Sequence, residues 1–230
     1  MRRGAWIAVA CIAVVVVPQP GRGQDADKQT DRSYLTWTAA QAQQIARSTR
    51  VNGRVGGAFD LRVTHTEHAY NYKLRAAWLT HEVIRATARL AQLSERLSDE
   101  QTETLVREAD AAGDTVIMVE IDPREGSGVI PLDWAAFLGP KGLGPGEPGA
   151  VKGTSVPRLR DLHALSGGFR RDYDYEVFWV VFPLVTEAGK SLFPEGVAEA
   201  ELLVRIYNKE GHVNWPVPES IRRRSSPGED

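Results

Sequence analysis

The stretch from Tyr173 to Val185 constrains the fold more than any other part of this 230-residue chain. Tyr173, Tyr175, Val177, Trp179 and Val181 fall at every second position. A period of two places successive side chains on opposite faces of an extended strand and fits no helix. Asp172, Asp174 and Glu176 lead the other face, which then turns to Phe178, Val180 and Phe182. The strand is expected to start at a wet rim and to run into a region covered on both sides, so a layer must lie over each face.

Other segments repeat the pattern. Phe59, Leu61 and Val63 share one face of a half-buried strand over Phe59–Thr66, and Tyr70, Tyr72 and Leu74 are in phase over Tyr70–Leu79. Thr115–Ile121 reads as a largely buried strand, Val151–Arg160 as a ragged one, and Leu202, Val204 and Ile206 mark the inner face of Glu199–Asn208. Glu210-Gly211 is expected to turn the chain toward Val213 and Trp215. Between the second and third strands the period changes. Thr80 offers an N-cap, and Val83, Ile84, Thr87, Leu90, Ala91 and Leu97 follow helical spacing. Ser98 with Gln101 matches a capping box for a second helix, which Gly113 would close. A link this short makes the two helices antiparallel.

The expected fold class is α+β: a strand-dominated sandwich, or an antiparallel or mixed sheet, with an inserted antiparallel helix pair. Four segments are expected. Residues 1–23 are a signal peptide. Residues 24–57 are a flexible lead with a short helix over Thr38–Arg47, capped by Thr36 or Thr38 and ended by Gly53, Gly56 and Gly57. Residues 58–218 are a single globular β-rich domain, and residues 219–230 a polar tail.

The signal reading rests on Arg2 and Arg3, on an apolar run of thirteen residues from Ala5 to Val17, and on Pro18, Pro20 and the small Gly21 and Gly23. A membrane span needs about 20 apolar residues, so this run suits a cleaved leader better than an anchor. The chain is expected to be exported, periplasmic or secreted, with no transmembrane segment after cleavage. Cys11 is the only cysteine and lies inside the leader. The mature chain would then have no disulfide, no thiol nucleophile and no cysteine-ligated metal, and its own apolar core must hold it. Losing Arg2, Arg3 and Arg22 takes the net charge from -2 to -5, which disfavours nucleic acid and anionic lipid as partners.

Familiar catalytic motifs fail on inspection. His81-Glu82-Val83-Ile84-Arg85 starts like a zinc-protease helix but has Arg85 where the second histidine is needed. Gly189-Lys190-Ser191 resembles the end of a phosphate loop, but Leu184 stands where that loop requires glycine. Ser127 has Glu125 where a nucleophile elbow has glycine.

Three constellations carry chemical potential. His65, Glu67 and His68 offer imidazole and carboxylate ligands for zinc or copper, although a strand would point His68 away. Asp172, Asp174 and Glu176 put three carboxylates on one strand face, where calcium could neutralise them, as could the neighbouring Arg170 and Arg171. Asp122 and Glu125 could serve as acid and base, with Arg124 holding an anion, in a loop after a buried strand. The alternative for that loop is a turn whose carboxylates bond backbone amides and arginines. Among the tryptophans, Trp78 and Trp179 are expected in the core, while Trp134 and Trp215, beside Pro131 and Pro216, are candidates for ligand stacking.

The leading reading is an exported non-catalytic domain of the cell envelope or periplasm that binds an envelope protein or a small ligand and needs no cofactor. The alternatives are an exported hydrolase using Asp122 and Glu125 or a metal held by the acidic rim, and a calcium-stabilised ligand-binding module.

Overall fold

The alternating segments form two antiparallel sheets, and the helical segments cover one of them. These elements come from a computed structural model that describes residues 32–56, 72–112, 115–122, 130, 132–142, 149–165 and 176–225. The five-stranded sheet contains β1 (Arg50–Val55), β2 (Tyr72–Trp78), β3 (Thr115–Asp122), β6 (Thr154–Ser155) and β7 (Glu176–Phe182), in the order β1-β2-β3-β7-β6. The four-stranded sheet contains β4 (Ala135–Pro140), β5 (Val151–Lys152), β8 (Glu199–Ile206) and β9 (Lys209–Pro216), in the order β5-β4-β8-β9. Among the described residues, four α-helices accompany them: α1 (Ala39–Ala46), α2 (His81–Glu95), α3 (Asp99–Asp110) and α4 (Glu219–Ser225). The fold is therefore α+β and strand-rich, with a helix pair between β2 and β3.

Each of the longer helices starts where a short polar side chain can satisfy free backbone amides. Thr38 caps α1 and Ser98 caps α3 in full capping boxes with Gln41 and Gln101, and the Thr80 side chain accepts from the Val83 amide at the start of α2. The pair α2–α3 is antiparallel: His81 at the start of α2 meets Asp110 at the end of α3, and Gln92 near the end of α2 meets Asp99 at the start of α3. Ala111 closes α3, and Gly113 lies outside the described residues.

Strand faces decide the layers. Inner residues of both sheets, among them Leu74, Trp78, Ile117, Phe182, Leu138, Leu202 and Ile206, fill the space between the sheets. The other face of the five-stranded sheet presents Ala77, Val116, Met118 and Trp179 to Val83, Ile84, Val106 and Ala109 of the helix pair. The strand around Trp179 thus has a layer on each side, as its alternation requires, and Glu176 at its start is exposed.

The sheets also approach each other along two edges. At one, β5 and β6 form a single bent run hinged at Gly153, whose amide donates to the Ala136 carbonyl at 2.9 Å. A Cβ at Gly153 would lie 2.6 Å from Phe182 Cε1, so only glycine lets this run lie against β7. At the other edge β9 crosses β1: the Gly56 amide donates to the Glu210 carbonyl at 3.0 Å, and Trp215 Nε1 donates to the Thr49 carbonyl at 2.5 Å. A Cβ at Gly211 would lie 2.6 Å from the Arg54 carbonyl oxygen.

Several expectations need correction. The folded unit opens at Ser33, not at residue 58. Tyr34 is fully buried against the helix layer, and Arg50–Val55, expected to lie in a flexible lead, pairs with β2 along its whole length. The start of the expected polar tail forms α4, with Ile221 in the main core. The β8–β9 turn is at Tyr207-Asn208, and Gly211 sits inside β9. Val151–Arg160 is two short strands followed by a 3-10 turn over Pro157–Asp161. The strand expected at Phe59–Thr66 lies outside the described residues.

Candidate functional site

The strand registers bring Val55, Tyr72, Asp122 and Glu176 to one end of the five-stranded sheet. Val55 pairs with Tyr72, Lys73 with Asp122, and Ile121 with Glu176. Asp122 closes β3, and its carboxylate lies 3.6 Å from Lys73 Nζ on the neighbouring strand. Glu176, the first residue of β7, is exposed. Arg124 and Glu125, Asp172 and Asp174, and His65, Glu67 and His68 lie outside the described residues.

One residue along β3, Glu120 carries a carboxylate that sequence reasoning missed. Alternation places it on the same face as Met118, where the helix pair gives way to charged side chains. Glu120 is only 5% exposed. Arg50 on β1 and Arg75 on β2 hold it from the edge side, at 3.7 and 3.9 Å. A buried carboxylate persists only if cations or hydrogen bonds replace its water, and two half-buried guanidinium groups do so here. The signal was present in the sequence: a glutamate interrupts the apolar run of β3, and a charge in a buried strand implies a partner on the adjacent one.

The two candidate ligand-stacking tryptophans are part of the packing. Trp215 is 4% exposed, its ring meets Trp78 edge-on at 5.7 Å, and its indole N–H reaches the Thr49 carbonyl. It is therefore corrected from a surface residue to a core one. The period of two foretold this, because Trp215 is in phase with Val213 on the inner face of β9. Trp134 is half-buried and stacks at a tilt on Phe178, with ring centroids 4.6 Å apart. Trp78 and Trp179 are core residues as expected, with Trp78 Nε1 donating to Thr115 Oγ1 and Trp179 Nε1 to the Leu165 carbonyl.

A second charged group lies on the outer face of the four-stranded sheet. His212 Nδ1 lies 2.7 Å from Glu201 Oε1, and its Nε2 is 3.8 Å from Glu210 Oε2. The Gly142 amide donates to Glu201 Oε2 at 2.6 Å, and Arg205 donates through two nitrogens to Glu210 Oε1. The Arg205 guanidinium also lies over the Phe137 ring, 5.9 Å from its centre. Nearby, Lys141 donates to Glu199, and that hydrogen bond holds the Lys141 ammonium above its ordinary range. Across the strands Glu210 of β9 faces Arg205 of β8, while His212, which pairs with Leu203, reaches diagonally to Glu201.

A third cluster fastens the helix pair. His81 Nδ1 lies 2.8 Å from Asp110 Oδ1, and the Arg85 guanidinium is 3.7 Å from the other carboxylate oxygen. At the start of β2, burial raises the Tyr72 phenol above its ordinary value, and the neighbouring Tyr207 hydroxyl adds to the shift.

Among the described residues, no group of three or more histidine, cysteine, aspartate or glutamate side chains comes together so that it could hold a metal ion, and no helix is long and apolar enough to cross a membrane. Compared with protein-family models, with curated proteins and with solved structures, the chain matches none.

Proposed function

We propose that this chain is an exported, non-catalytic binding domain of the cell envelope or periplasm, whose partner is an envelope protein or a small ligand met at its outer surface. The observation that carries this reading is the filled space between the sheets. Trp78, Tyr72, Phe182, Leu74, Leu138 and Leu202 are each under 2% exposed there, so the interior is used for stability, as in closely packed protein cores. The charged groups beyond that space are engaged with one another: half-buried Asp122 with Lys73 and Glu210 with Arg205, and buried Glu120 with Arg50 and Arg75. Carboxylates held this way position neighbouring strands, whereas a general acid or base has to be offered to a substrate. The N-terminal leader supports export, and the mildly acidic mature chain favours protein or small-molecule partners over nucleic acid.

The full chain, expressed with a C-terminal tag in a bacterial host, tests the reading. The expected result is a product processed near Gly23, recovered outside the cytoplasm, and inert toward a panel of ester, glycoside and peptide substrates. An unprocessed product kept in the cytoplasm would overturn the export reading. Turnover of any substrate, lost on Asp122→Asn, would overturn the non-catalytic one and establish the hydrolase in its place.

A further inference from the structure

We draw no further inference here: the strongest candidate, the Glu201–His212–Glu210–Arg205 cluster on the outer face of the four-stranded sheet, has its charges satisfied within the cluster, and nothing in the structure shows what covers it.

Discussion

Two single residues show where local chemistry and the fold disagree. Arg96 sits at φ 58° in the left-handed cap of α2, its backbone amide donating to the Gln92 carbonyl. That position suits glycine, because any Cβ crowds the backbone there. Arg96 is exposed and makes none of the side-chain bonds that hold α2 to α3. Arg96→Gly is therefore expected to raise stability by about 0.5–1 kcal/mol, visible as a higher urea midpoint at unchanged slope. Tyr72 is the other case. Its protonated form is favoured in the folded state, since burial and then Tyr207 push its phenol upward from 10.0. The stability this group contributes is whole below pH 10 and drains away as pH climbs from there through the raised native value. Urea midpoints measured from pH 8 to pH 11 should fall more steeply for the wild-type chain than for Tyr72→Phe. Equal slopes would remove Tyr72 from the account. The same scale shows why Glu120 and Trp215 escaped notice. Both obey the period of two, but their partners Arg50, Arg75 and Thr49 are remote in sequence, and only strand pairing brings them close.

At the scale of elements, legibility followed the range of the interaction that defines each one. The caps of α1, α2 and α3 act across three residues, so Thr38, Thr80 and Ser98 could be read directly. β2, β7 and β8 carry their own alternation of apolar side chains and β3 a continuous apolar run, and they emerged as expected. β1 did not, because Arg-Val-Asn-Gly-Arg-Val looks like loop sequence. Its glycine is required by tertiary contact: a Cβ at Gly53 would lie 2.6 Å from Val213 Cγ1 of β9. Gly211 meets β1 from the opposite strand, and there the obstacle is the Arg54 backbone itself, which cannot rotate away. Two glycines read as turn formers are thus the means by which β1 and β9 cross closely. Gly211→Ala should force the crossing apart and cost about 1–3 kcal/mol, the range for overpacking a tight site. A drop in melting temperature, together with faster exchange of the Gly56 amide that bonds Glu210, would record the loss. Unchanged exchange would show that β1 is held by β2 alone.

For the molecule as a whole, the central question is where the folded unit begins. Glycines at 53, 56 and 57 suggest a start near residue 58, with everything before it a tether. The packing says otherwise. Tyr34 is fully buried in the helix-side core, Ala42 and Ala46 of α1 pack against Ala86 of α2, and Val55 belongs to the core between the sheets. Arg50 supplies one of the two cations at Glu120, and the Thr49 carbonyl receives the Trp215 indole. Removing residues 33–57 would therefore strip β2 of its only described neighbour on that edge, bare the face of α2 around Ala86 and leave Glu120 with Arg75 alone. Removing one partner of a buried ion pair costs on the order of 3–5 kcal/mol, of which the remaining Arg75 would offset a part at Glu120, and a domain of ordinary stability has only about 5–15 kcal/mol to lose. A chain starting at Ser33 should melt cooperatively with the near-ultraviolet dichroism expected of ordered tryptophans, whereas one starting at Ala58 should lose both the cooperative transition and that signal. If the shorter chain kept them, β1 and α1 would be ornaments on a core complete without them, and the folded unit would have to be redrawn from residue 58.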